Sequence, residues 1–364
     1  MTYRAPHEHE AGERAWEVVR DAYETREPLT WPRRHARPLV AGALIAAVIA
    51  AVLSPPGRSV VRSFRKAVGV ERAEPALFSL PAPGQLLVTS PQGAWLVRAD
   101  GSKRLLGRYR DATFSPHGLF IAATRENELV ALDPKGEVRW TLARPGPRFP
   151  AWAGTRTDTR IAYLSAGHLH VVAGDGTGDR TFGPAAPVVP AWRPGSGHVL
   201  AYSDGERAMV LDADTRVVIL RLRLHAGTWK LAWSSDGRLL LALAARGLRI
   251  FEPTGKLVLA RNSESRPFVD AAFEPRTHRV VALREYGFQS EVVSALTGRV
   301  VFRGTGTFGQ LSWAPRRHWL LVTWPTANQW VFLRTRPSRR IVGASRIASQ
   351  FGGFARVSGW CCAR

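Results

Sequence analysis

An aromatic residue followed by a turn recurs through this chain, at Phe114 (ATFSPHG), Trp152 (PAWAGT), Trp192 (PAWRPG), Trp233 (LAWSSDG), Phe273 (AAFEPR) and Trp313 (LSWAPR). Successive spacings are 38, 40, 41, 40 and 40 residues. A unit of about 40 residues is too small to cover its own apolar face, so copies at a constant period have to stack on one another. A period of about 40 to 45 residues is that of a four-stranded propeller blade. With 364 residues, 45% hydrophobic and 22% charged, the chain has a globular composition and the length for such an array.

Each period repeats the same order of elements. After the aromatic turn comes a short apolar run, as in Phe120-Ile121-Ala122, Ile161-Ala162-Tyr163, Leu200-Ala201-Tyr202, Leu239-Leu240-Leu241, Val280-Val281-Ala282 and Leu320-Leu321-Val322. Runs this short, bounded by Gly, Pro and Asp, read as strands. A second strand then ends in a tight turn, as in Leu129–Leu132 before Asp133-Pro134-Lys135-Gly136, where glycine supplies a positive φ. Residues 86–106 hold Leu86-Leu87-Val88 and Trp95-Leu96-Val97 with no aromatic first strand ahead of them, while the tail Phe354–Trp360 (FARVSGW) reads as an isolated first strand. The tail is therefore expected to complete blade one and seal a ring with no long free edge. The pattern predicts an all-β, seven-bladed β-propeller over residues 84–364, with six or eight blades as the alternatives.

Phe114-Ser115-Pro116-His117-Gly118 and Trp233-Ser234-Ser235-Asp236-Gly237 resemble the aromatic-Ser-Pro-Asp-Gly turn of TolB-like and bacterial WD-repeat-like propellers. The resemblance spans about residues 84–360 and implies the propeller fold. The His-to-Trp-Asp signature of eukaryotic WD repeats is missing. Leu129–Trp140 (LVALDPKGEVRW) is similar to one repeat of quinoprotein propellers but occurs once, so no quinone is expected.

Ahead of the array, Leu39–Leu53 (LVAGALIAAVIAAVL) is an unbroken apolar run closed by Pro55-Pro56-Gly57. Counted with its small flanking residues it reaches the length a spanning helix needs, and it lacks the polar face of a soluble core helix. It divides the chain into a tail at 1–37, a transmembrane helix at 38–54, a basic linker at 55–83 and the propeller. Bulky Leu53 and Pro55-Pro56 argue against a cleaved signal peptide. Arg33, Arg34 and Arg37 precede the run and Arg58, Arg62, Arg65 and Lys66 follow it, so cationic flanks nearly balance. The nearer cluster favours a cytoplasmic N-terminus and an extracytoplasmic ring in the cell membrane, a single-pass layout. Residues 11–25 (AGERAWEVVRDAYET) form an amphipathic helical pattern. Helix, span and outer domain together resemble membrane-anchored anti-sigma factors, although their Cys/His zinc motif is absent.

Chemistry-bearing motifs are scarce. No nucleophile elbow, Walker loop, dinucleotide fingerprint or zinc-protease helix occurs, so no catalytic, cofactor-binding or metal residues are assigned and enzyme activity is not expected. His168 and His170 share a strand face but lack a third ligand. Asp100, Asp133, Asp175 and Asp212 occupy equivalent turn positions suited to capping backbone amides. Trp319, Trp324 and Trp330 are the candidates for an exposed aromatic patch. Adjacent Cys361 and Cys362, the only cysteines, are read as a reduced pair or a link to another chain. The net charge of +22 comes without an aromatic-interleaved basic block, which points to anionic polymers rather than to a specific nucleic acid. The expected function is a non-enzymatic binding or scaffolding module of the cell envelope, engaging a protein or anionic polymer through one face of the ring. The alternative is a signal transducer whose N-terminal helix holds a cytoplasmic regulator.

Overall fold

Runs such as Leu86-Leu87-Val88 and Leu240–Ala244 carry no polar face, so they have to be covered on both sides. A computed structural model describes residues 70–74 and 79–362, apart from 156, 196, 316 and 317, and stacks these runs between neighbouring sheets. Seven antiparallel sheets each hold four strands, A to D, paired in that order. Blades two to four comprise residues 111–143, 148–184 and 191–223, and blades five to seven comprise 230–262, 268–305 and 311–345. Blade one takes strands B to D from residues 85–107 and strand A from Arg356–Cys361 at the far end of the chain. A short strand, Val70–Glu74, adds in parallel to the outer edge of blade seven.

The repeated aromatic is a register mark. Phe114 stands opposite Ile121, Trp152 opposite Ile161, Trp192 opposite Leu200, Trp233 opposite Leu240, Phe273 opposite Val280 and Trp313 opposite Leu320. Trp360 of the closing strand stands opposite Leu86 in the same way, the seventh member of the set. The turn that follows explains the motif: the Ser234 hydroxyl accepts the Leu239 amide at 3.0 Å and Ser115 accepts that of Phe120 at 3.0 Å. Gly237 closes its turn at φ +68°, and a Cβ there would lie 2.6 Å from the Pro194 carbonyl of the preceding blade, so glycine answers both the turn and the close approach.

Among the described residues the apolar core divides into seven clusters, one for each seam between blades. Successive residues of each B strand serve opposite seams: Leu86 and Val88 face blade seven while Leu87 faces blade two. Polar links cross the seams near the A strands. Trp192 Nε1 donates to the Ala151 carbonyl at 2.9 Å and Trp233 Nε1 to that of Ala191 at 3.1 Å. Arg148 meets Asp111 at 2.6 Å, and Asp270 receives Lys230 at 2.6 Å and the Leu311 amide at 2.7 Å. The Val357 amide of the closing strand donates to Gln310 Oε1 at 2.9 Å, which ties blade one to blade seven.

Three expectations change. Trp319 and Trp330 are 3% and 1% exposed, and half-buried Trp324 donates its N–H to the Thr305 carbonyl at 3.0 Å, so these residues form no surface patch. They belong to strands B and C, the two middle strands of a blade, where both faces are covered. Cys361 and Cys362 are joined to each other, their sulfurs beside the Ser115 and Pro116 carbonyls and no other cysteine in the chain. The blade count, open in the sequence, is seven. The span at 38–54 and the helical pattern at 11–25 lie outside the described residues; among the described residues no helix is long and apolar enough to cross a membrane.

If the tail seals the ring, deleting residues 350–364 abolishes the cooperative melt of the domain. Trp360→Ala, which empties the 7% exposed seventh aromatic position, is expected to cost about 3 kcal/mol in denaturant unfolding. A truncated chain with an unchanged melting curve contradicts the closure.

Candidate binding face

In a four-stranded antiparallel blade the A–B and C–D turns emerge at one end, and every blade presents them on the same side of the ring. The C–D turns are built by the aspartates singled out above. Asp100 accepts the Ser102 amide at 2.9 Å, Asp133 that of Lys135 at 2.8 Å, Asp175 that of Thr177 at 3.0 Å and Asp212 that of Asp214 at 2.9 Å. These carboxylates hold the loops and are occupied in doing so.

The A–B turns are linked from blade to blade by carboxylate–histidine pairs that sequence reading missed. His278 of blade six reaches Asp236 of blade five at 2.7 Å, and His318 of blade seven reaches Glu274 of blade six at 2.8 Å. His198 of blade four lies 2.7 Å from Asp214 in the C–D turn of its own blade and 3.7 Å from Asp158 of blade three. The signal was a histidine one or two residues ahead of strand B in three repeats. A hydrogen bond from the Ser234 hydroxyl, joined by that of His278, holds the Asp236 carboxyl well below the usual carboxylate range.

Inter-blade clefts open on this face, and two of them are walled by large apolar side chains. Between blades five and six a cavity of about 740 Å³ is walled by Leu239, Ile250, Val280 and Leu296, with Arg238 and Arg279 at its rim. Between blades two and three a cavity of about 460 Å³ is walled by Phe120, Trp140 and Trp152. The second lies at the seam with the smallest apolar cluster, five buried residues against eight or more at each other seam.

That seam replaces apolar contact with a buried polar network. Asp179, its side chain 7% exposed, receives Arg144 at 2.6 Å, the Tyr163 hydroxyl at 2.8 Å and His170 Nδ1 at 3.3 Å. Burial pushes the Asp179 carboxyl up, but hydrogen bonds from His170, Arg144 and Tyr163 outweigh it and hold it below its ordinary value. His170 is thus a hydrogen-bond partner of Asp179, while exposed His168 contacts the Ala166 carbonyl, and the two do not converge. Blade six has a counterpart in Glu291, its side chain fully buried and met by Arg284 at 2.9 Å and Arg303 at 2.5 Å. Both networks satisfy their own charges, as buried ions must, and neither presents an open acid or base. Among the described residues no group of three or more His, Cys, Asp or Glu side chains is placed to hold a metal ion.

No family model and no curated protein matches the sequence. Solved structures with the same architecture include Kuenenia stuttgartiensis hydrazine synthase, at TM-score 0.52 and 13% identity over 62% of this chain and 76% of that one. The Cps50 (Swd1) β-propeller domain of Myceliophteria thermophila aligns at TM-score 0.50 and 17% identity over 67% and 94%. KlHsv2, with its loop 6CD replaced by a Gly-Ser linker, aligns at TM-score 0.53 and 12% identity over 77% and 96%. At these identities the likeness is one of fold: the chain is a seven-bladed β-propeller with WD-repeat propellers among its structural neighbours. One of these neighbours is named as an enzyme, and the fold alone assigns no use.

The depressed value of Asp179 sets a sign. Its contribution to stability is present above the unfolded carboxylate pKa of about 4 and is lost as pH falls below that toward the lower folded value. Asp179→Asn is expected to cost about 2 kcal/mol near neutral pH, because Arg144, the buried Tyr163 hydroxyl and His170 lose their charged acceptor, and the gap to wild type should close in acid. Denaturant melts across pH test this; a gap constant down to about pH 2 contradicts it.

Proposed function

We propose that this chain is a membrane-anchored β-propeller that serves as a non-enzymatic binding scaffold in the cell envelope, with its N-terminus cytoplasmic and its ring outside the membrane. The observation that carries the binding role is the A–B/C–D face: inter-blade clefts open there, while charged groups at their mouths, Arg139 with Asp133, Arg160 with Asp158 and His278 with Asp236, are consumed in holding blades and loops together. The anchor rests on the apolar run Leu39–Leu53, and the orientation on the arginines at 33, 34 and 37 beside its leading end. The aromatic-Ser turns at 114–118 and 233–237 support kinship with TolB-like propellers. A protein or an anionic envelope polymer is the partner class that an open, loop-lined face of a strongly basic chain suits.

In intact cells carrying the full chain with a tag at each end, external protease is expected to remove the C-terminal tag and spare the N-terminal one until the membrane is opened. Both tags washing off with the soluble fraction, or the N-terminal tag alone being cut, overturns the topology.

A further inference from the structure

We propose that the cleft between blades two and three is a carbohydrate subsite that seats a neutral sugar ring against Phe120 and Trp152. The inference deepens the scaffold reading by naming a ligand class for its face.

Three features of the cleft point there. Its wall is aromatic and partly free: Phe120 and Trp152 lie near-parallel, 19° apart with centroids at 6.1 Å, and Phe120 remains 38% exposed. Trp140 forms the far side, fixed by its N–H to the Gly174 carbonyl at 3.0 Å. Next, the Trp152 indole spends no hydrogen bond on its seam. Trp192 and Trp233, at the same register in the next two blades, donate their N–H to the preceding blade, whereas Trp152 Nε1, like those of Trp313 and Trp360 at that register, is buried without a hydrogen-bond partner. The fold therefore leaves this indole's polar atom unused and sets its ring beside Phe120 in a cavity.

The polar rim then selects among flat ligands. Among the described residues at the mouth, Arg160 is paired with Asp158, and Arg139 with Asp133 at 2.7 Å, so these cations are already neutralised. An anion would have to displace those carboxylates, and a wholly apolar molecule would strand the charged pairs and the Thr155, Thr157 and Thr159 hydroxyls. A pyranose fits both demands, since its axial C–H face is apolar and lies flat on an aromatic ring while its equatorial hydroxyls point outward to fixed donors and acceptors. The cavity of about 460 Å³ is within the range of small-ligand sites.

The test is a titration of the purified full-length chain, read by tryptophan emission, with glucose, galactose, N-acetylglucosamine and the disaccharides cellobiose, lactose and chitobiose, and with adenosine and benzoate as flat non-sugar probes. At least one sugar is expected to give a saturable change with Kd of about 1 mM or tighter. Phe120→Ala should weaken it about tenfold or more, and Thr157→Val, at an exposed loop position, should weaken it with the melting curve unchanged. No saturable response to any of these sugars, a response to adenosine or benzoate alone, or sugar affinity unchanged in both variants overturns the proposal. A silent sugar titration alongside the expected protease pattern removes the sugar and leaves the anchored scaffold standing; a sugar response with the opposite pattern does the reverse.

Discussion

Apolar contact between blades is the interaction on which everything else in this molecule depends. Each sheet has two oily faces and supplies cover for neither, so a blade is stable only when flanked on both sides. A row of such units always ends in two bare faces; bending it into a ring removes them, and the pairing of Arg356–Cys361 with Gln85–Ser90 makes the ring permanent. The first and last parts of the domain are thereby held in one sheet, and stability becomes a property of the circle rather than of any repeat.

The seams are not equivalent, and their differences locate the aromatic cleft. Most are filled by aliphatic side chains from strands B and C, with a tryptophan N–H or an ion pair across the A strands. The seam between blades two and three is thin in apolar residues and fills part of the deficit with the Asp179 network. What the network leaves unfilled on the turn side is the aromatic cleft. A local shortfall in packing, tolerable because six other seams hold the ring, is a physical route by which a structural repeat opens a cleft.

Much of the fold was legible because its signal is periodic. The aromatics stood in register, the short apolar runs became B strands, and the tail was identifiable as a first strand because blade one lacked one; Trp360 lies 47 residues after Trp313, off the period, and only the pairing with Leu86 reveals it as the seventh aromatic. Trp319, Trp324 and Trp330 were misread because alternation does not report exposure in a strand covered on both faces. The carboxylate–histidine links and the cleft escaped for a different reason. A histidine recurs ahead of strand B, but its partner is distant, His278 and Asp236 being 42 positions apart, and Phe120 and Trp152 meet only through the angle between two blades, so neither pairing has a local pattern.

The central claim is that the chain's last strand is an integral part of the barrel of blades and not a tail resting on it. Amide hydrogen exchange on the full-length protein measures this directly. The account predicts that the amides of Arg356–Cys361 are as strongly protected as those of the A strands in blades two to seven and open only when the whole ring does. Rapid exchange confined to that strand, with protection elsewhere intact, would contradict it.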